Sequence, residues 1–375
     1  MVNRLMGIIN LSEHDEDMKE LTNSRPIAGI PFAGRYRIID FQLSNMVNSG
    51  IELVSIFTRY KFRSLQDHLG PGKSWNLDRK RDGLYMFHPM IKYNEPMVRY
   101  GDMENFKNNL NFLKNARQEY VVISRSYMVT NINYCKALDF HIDSGADMTI
   151  VYKKISGGAH KKEFYDLDML NCDGQGKVLS VGKNRGKVDD FNLSLEMYLM
   201  KKDTLVDIIV DAVEKGDSDY MREALIKSVS RLRVNGYAHE GETFCINNIQ
   251  SYYNAQMALL NYQIYYDLLS ANGKIYTKIK DEPSTKYLST AKVSNSIIAN
   301  GSIIEGTVEN SVLFRRVHIK KGAIVRDSAI FQGSVIEESA VLHNVITDKN
   351  VVITKGKVLK GDIEAPYVIK KNSVI

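Results

Sequence analysis

Short apolar runs alternate with amphipathic stretches from the start of the chain to about residue 250, where the rhythm changes. Five runs read as strands: residues 7–10 (GIIN), 53–58 (LVSIFT), 120–124 (YVVIS), 148–153 (MTIVYK) and 194–200 (SLEMYLM). Helical periodicity falls between them, around residues 40–48 and 103–114. Strands alternating with helices predict the α/β class, with a doubly wound, mostly parallel sheet of the Rossmann type. Residues 242–269 then read as one long helix. Its Met, Leu and Tyr positions recur at helical spacing, which is the pattern of packing rather than of a cofactor box.

After about residue 285 apolar pairs recur every six residues: Ala323-Ile324, Ala329-Ile330, Val335-Ile336 and Val341-Leu342. Ile297-Ile298 and Ile303-Ile304 keep the step, and after a slip Val345-Ile346 and Val351-Val352 resume it. Gly301, Gly306, Gly322 and Gly333 fall at the turns. A six-residue period predicts three short parallel strands per coil of a left-handed parallel β-helix, each coil burying its aliphatics on the next. The expected organisation is a Rossmann-type sheet domain over residues 1–250, a helix and linker over 251–284, and a hexapeptide-repeat β-helix over 285–375.

At 375 residues the chain is long enough for two cores. No apolar run approaches the roughly 18 residues that span a bilayer, and the early acids do not suit a secretory signal. Cys135, Cys172 and Cys245 are scattered, without metal-site spacing, which predicts reduced thiols in a cytoplasmic protein. The net charge of +6 is spread along the chain, so neither nucleic acid nor a membrane surface is expected as a partner. A modest positive balance suits either a solvated surface or a site for small phosphorylated anions.

The first strand runs into LSEHDEDMKEL, where a phosphate-cradling loop would need glycines and this chain has Glu13, Asp15, Glu16 and Asp17. Ser12 is placed to cap a helix, Ser12 with Asp15 approximates a capping box, and acids in a first turn complement the helix dipole. A triphosphate there would meet carboxylates, each repelling a phosphate charge by about 3 kcal/mol at roughly 5 Å and an effective dielectric of ~20. A calcium loop would need the EF-hand glycine and terminal glutamate, which are missing.

The runs SRPIAGIPFAGRYRIIDFQLSNMVNSGI (24–51), TRYKFRSLQDHLG (58–70), WNLDR (75–79) and NGSIIEGTVENSVLF (300–314) resemble bacterial glucose-1-phosphate adenylyltransferase, in order and along the whole chain. That family makes ADP-glucose and pyrophosphate from ATP and glucose 1-phosphate with Mg²⁺, as a tetramer under allosteric control by small phosphorylated effectors. The resemblance implies the same architecture here, but this chain departs from the motifs that carry the chemistry. The family's glycine-rich loop aligns with residues 11–18 and keeps none of its glycines; its arginine falls at Asp17. Its nucleotide-phosphate lysine falls at Ile27. Its two metal-binding aspartates fall near Tyr127 and Cys245, in segments (SRSYMV and TFCINN) that contain no carboxylate.

Phosphoryl transfer depends on positioned cations, backbone donors and metal. The resemblance is therefore to a D-type regulatory subunit that looks catalytically degenerate. It would hold no cofactor of its own, with Mg²⁺ on a catalytic partner in a homo- or hetero-tetramer. An active enzyme with a remodelled nucleotide site is the alternative. A β-helix acyltransferase is a distant third, for which only His318 and His343 are available as active-site histidines. Of the family's sugar-phosphate residues, the lysine and serine match Lys183 and Ser194, whereas the glutamate becomes Gly182. Lys183 reads equally as an anion ligand and as a solvated lysine. Arg35 matches a basic activator-site residue, and Arg37 and residues 315–321 add positive charge. These arginines suit a phosphorylated effector or an inter-domain ion pair. Asp40, at a helix start, reads as a cap more readily than as a catalytic acid.

Overall fold

In the computed structural model, which describes residues 4–89, 101–158 and 162–375, strand β1 (Leu5–Asn10) is buried along its whole length. Leu5 and Ile9 point into one apolar cluster and Met6 and Ile8 into another, so the sheet is covered on both faces. Helix α1 (Ile38–Asn48) packs on the first face through Phe41, Leu43 and Met46. It lies so close that a Cβ on Gly7 would stand 2.4 Å from Met46 Sδ.

The other strands of the sheet domain are β2 (Pro31–Phe32), β3 (Tyr36–Arg37), β4 (Leu53–Phe57), β5 (Gly83–Phe87), β6 (Tyr120–Ser124), β7 (Met128–Thr130), β8 (Met148–Ile155), β9 (Asp168–Cys172), β10 (Val178–Lys183), β11 (Phe191–Lys201), β12 (Val234–Ala238) and β13 (Thr243–Cys245). The main sheet runs β10-β9-β11-β6-β1-β4-β5, with β8 pairing β11 and β12. Its β6-β1-β4-β5 part is parallel. Around β11 the pairing turns antiparallel, against β6, β8 and β9. The carboxyl ends of β1 and β6 therefore open side by side, where ligands of open α/β sheets bind. A small antiparallel pair sets Met128 of β7 against Cys245 of β13.

The remaining helices are α2 (Arg63–Leu69), α3 (Met103–Asn108), α4 (Leu110–Asn115), α5 (Tyr134–Ser144), α6 (Lys202–Lys215), α7 (Met221–Ser228), α8 (Ile249–Ala258) and α9 (Tyr262–Ser270). The long helix expected over 242–269 is instead β13 followed by α8 and α9. Asn248 caps α8 through Ser251 N–H and Asn261 caps α9 through Gln263 N–H, so each start satisfies its own donors.

The hexapeptide region forms three five-stranded parallel sheets around one core. One inward ladder reads Ile304, Ile319, Ile336 and Ile353; another reads Val308, Val325, Leu342 and Leu359. Gly306 is required by close approach, since a Cβ there would meet Ala323 O at 2.3 Å. The third face, with Phe314, Ala329, Phe331 and Ile346, joins the sheet domain's own cluster. Tyr252 of α8 meets Phe331 edge-on with centroids 6.1 Å apart. The buried Arg25–Asp348 ion pair spans the same boundary.

Candidate functional site

Beyond Asn10 the chain turns through Leu11 to Asp15 into a 3-10 helix at Glu16–Thr22, interrupted where Lys19 adopts φ 46°. Ser12 does not cap it. Asp15 holds the N-cap position without a side-chain cap bond, and Ser12 Oγ is buried with no hydrogen-bond partner among the described residues. The acids also divide. Asp17 is exposed at the rim, while Glu13 is buried and turned inward. Glu13 Oε1 accepts from Ser126 N–H at 2.7 Å and from Ser126 Oγ–H at 2.9 Å. Two donors at the carboxyl end of β6 win over a helix cap because they would otherwise be buried unpaired. Burial pushes the Glu13 carboxyl upward, against the pull of Arg125 and Ser126.

Arg125 sits between two buried carboxylates, with Nε 3.9 Å from Glu13 Oε1 and Nη1 3.5 Å from Glu196 Oε2. Burial works against its charge, but Glu196 and Glu13 more than offset this and hold its pKa above the usual guanidinium value. Glu196 lies at an irregularity of β11 between Ser194 and Met197, with φ 50°, and the bulge aims it toward the cleft. Tyr127 Oη–H donates to Glu196 Oε1. Burial first, then Glu196, push the Tyr127 hydroxyl and the Cys245 thiol well above their ordinary values. Ile246 N–H donates to Tyr127 O at 2.9 Å, so the positions that match the family's two metal aspartates do lie together. They present a phenol and a thiol.

Along the cleft, of about 630 Å³, Glu13, Asp17, Asp166, Glu196 and Glu223 face Arg125, Lys183 and Arg222. Ile27 lines it too and is 1% exposed, leaving no cation where the nucleotide lysine is expected. Gly182 pairs with Met169 on β9 and offers no side chain to a sugar. Lys183 Nζ donates to Asp166 O at 2.8 Å and lies 3.1 Å from Asp168 Oδ1. Arg222 pairs with the same Asp168. Ser194 is buried, its Oγ accepting from Glu196 N–H at 3.2 Å.

A second concavity, about 30 Å³, lies between the domains. The β2–β3 hairpin brings Arg35 and Arg37, the linker Lys278 and Lys280, and β-helix turns Arg315 and Lys349. Among the described residues lining it there is no carboxylate. Desolvation lowers Arg37 to about 10 and Lys349 to about 7, with neighbouring cations adding to the fall at Lys349, and lowers Arg315 and Lys280 as well. The partners of Arg37 and Lys280 are neutral, Ser64 O at 2.7 Å and Gln332 Oε1 at 3.2 Å. Asp40 sits behind this notch as a cap: its Oδ2 accepts from Arg37 N–H at 2.9 Å and its Oδ1 binds His68 Nε2 at 2.6 Å. His318 and His343 are far apart in role from any shared site, each paired with its own carboxylate, Glu305 at 3.0 Å and Asp327 at 3.1 Å.

Sequence reasoning missed Arg125, Glu196 and Lys349. A glutamate inside the apolar run SLEMYLM, and an arginine directly after YVVIS, were the signals for the first two.

A nucleotidyl transferase family model matches residues 17–164, and a model described as a GlmU-like, C-terminal hexapeptide matches residues 283–366. The glycogen biosynthesis protein GlgD of Bacillus subtilis (strain 168) is 38% identical over 375 residues, 99% of this chain and 97% of that protein. GlgD of Geobacillus stearothermophilus is 40% identical over 375 residues, 100% of this chain and 98% of its own length. A glucose-1-phosphate adenylyltransferase of Bacillus mycoides (strain KBAB4) is 29% identical over 356 residues, 94% of this chain and 93% of that enzyme.

Proposed function

This chain belongs to the family of the glycogen biosynthesis protein GlgD, and from that membership we propose a non-catalytic regulatory subunit of glucose-1-phosphate adenylyltransferase. Its role lies in glycogen biosynthesis, and it is related to the enzyme that its relatives' names describe. The observation that carries the proposal is the state of the carboxylates at the carboxyl ends of β1 and β6. Glu13 is bound to Ser126 and Arg125, and Glu196 to Tyr127 and Arg125. Magnesium takes several oxygen ligands in near-octahedral geometry. A cleft whose buried carboxylates are committed to an arginine, beside Tyr127 and Cys245, does not fit it. The Mg²⁺ of the reaction therefore belongs to a catalytic partner.

Regulation is assigned to the inter-domain notch. Six cations without a lining carboxylate favour a small phosphorylated effector there, held by Arg35 and Arg37 from the sheet domain and Arg315 and Lys349 from the β-helix. Acting within an oligomer with the catalytic subunit, such an effector shifts the population of a shared arrangement. Among the described residues no helix is long and apolar enough to cross a membrane.

The test is an assay of the purified chain with ATP, Mg²⁺ and glucose 1-phosphate. The expected rate is at least about 10³-fold below that of a competent subunit, because several electrostatic contacts worth about 3–4 kcal/mol each are missing. Robust turnover would instead establish an active enzyme with a remodelled nucleotide site.

A further inference from the structure

We propose that the cleft at the carboxyl ends of β1 and β6 is a binding site for an uncharged sugar, a hexose or the end of a glucan, rather than for a sugar phosphate or a nucleotide. The inference rests on the reading of this cleft as catalytically idle. Its first support is that the cations are already neutralised. Arg125 lies between Glu13 and Glu196, while Arg222 and Lys183 share Asp168. Asp17, Asp166 and Glu223 then add negative charge to the walls. A phosphate entering here meets a surplus of carboxylates and is repelled by each of them.

The second support is independent of charge. Among the described residues, three buried polar atoms without hydrogen-bond partners belong to residues lining this one cleft: Ser12 Oγ, Arg125 Nε and Glu196 Oε2. Ser12 and Glu196 are 6% and 4% exposed, so bulk solvent does not solvate them freely. One of the three atoms is a donor, one an acceptor, and the hydroxyl is both. A phosphate dianion has no proton to donate to Glu196 Oε2, which its 3.5 Å ion pair with Arg125 leaves without a hydrogen bond. Vicinal hydroxyls of a sugar donate and accept at neighbouring positions, which matches the mixed set.

The third support is the apolar complement. Tyr165, 52% exposed, and Tyr220 present ring surface to the same space, with Asn247 and Asn248 at its rim. Sugar rings expose C–H faces that pack on aromatic rings, and Tyr combines such a surface with a polar tip. A volume of about 630 Å³ falls in the range of small-molecule sites.

Calorimetric titration of the full chain with glucose, maltotriose, glucose 1-phosphate and ATP tests the proposal. Glucose or maltotriose is expected to saturate one site, with glucose 1-phosphate at least tenfold weaker than glucose. Tyr165→Ala, a change at an exposed ring, is expected to weaken the sugar by about tenfold, or about 1.4 kcal/mol, without altering thermal stability. Glu196→Gln removes one wall charge and turns one of two acceptor oxygens into a donor, so it should weaken glucose while narrowing the preference against glucose 1-phosphate. Tighter binding of glucose 1-phosphate than of glucose would overturn the proposal, as would silence of both neutral sugars up to about 50 mM. Binding unaffected by both substitutions would also overturn it. None of these results alters the ADP-glucose assay, so the two readings fail separately.

Discussion

The cleft of the sheet and the notch between the domains are both rich in arginine and lysine, yet they treat charge in opposite ways. In the cleft every lining cation has a carboxylate partner, and Glu13, Glu196 and Asp168 stand behind Arg125, Arg222 and Lys183. In the notch Arg35, Arg37, Lys280, Arg315 and Lys349 crowd together with no carboxylate among the described lining residues, Arg37 and Lys280 bond to neutral oxygens, and burial lowers the pKa of four of the five. Neutralised cations leave the cleft wall with a surplus of carboxylates that repels an anion; uncompensated ones hold a destabilising field that an anion relieves. Counts of arginine and lysine alone would not separate a site that rejects anions from one that receives them; the partner of each charge does.

The largest expected effect comes from breaking the link between the regions. Arg25 follows the turn that edges the cleft, and Asp348 precedes Lys349 of the notch, so their buried pair joins both neighbourhoods. Arg25→Ala strands Asp348 in the interior and should cost about 3–5 kcal/mol, read as a fall in denaturant midpoint. The double change Arg25→Met with Asp348→Leu should cost much less, because it leaves no unpaired charge. Equal losses in the two variants would show that packing, not charge, holds the boundary.

On the cleft side, ATP should bind at least about 10²-fold more weakly than to a competent subunit, given ~3 kcal/mol of repulsion per nearby carboxylate. Micromolar ATP binding in calorimetry, lost on an Asp17 substitution, would erase the contrast between the regions. On the notch side, Arg35→Ala should shrink the effector response of a mixed oligomer, within the 5- to 150-fold range of a coupling of about 1–3 kcal/mol. Light scattering should still find the oligomer, since one arginine seldom decides an interface.

The smallest effect is in pH. Burial, with neighbouring cations, pushes Lys349 down to about 7 in the folded chain, against about 10.5 for an exposed lysine. Between these values the unfolded chain binds the extra proton, so Lys349 contributes a slope of stability rising with pH from about 7 to 10.5, flat below. Lys349→Met should flatten that slope. Anion binding favours the charged amine, so effector affinity should fall as pH rises above about 7, by no more than tenfold per unit.

Much of the fold was legible because its signals are local. β1 and β6 are apolar on both faces, and the six-residue period places Ile304, Ile319, Ile336 and Ile353 in one ladder. The break before α9 was not, since the cap residue Asn261 reads as one more polar residue on an amphipathic helix. At the site, the loss of glycines, of the lysine at Ile27 and of carboxylates near Tyr127 and Cys245 was visible in residue identity. The use made of Glu13 was not: its partner Ser126 is 113 residues away, and Ser12 looked like a cap until that contact took the turn inward. Lys349 and Lys278 join Arg35 only because separate elements converge, a property of topology rather than of any one segment.

The most direct test is a three-way assay of ADP-glucose synthesis: this chain alone, a catalytic subunit alone, and the two mixed, with light scattering to confirm the complex. The account expects almost no product from the first. The mixture should differ from the catalytic subunit alone in maximal rate or effector response, and Arg35→Ala should diminish that difference. Vigorous synthesis by this chain alone, or a mixed complex that behaves as the catalytic subunit does by itself, would contradict it.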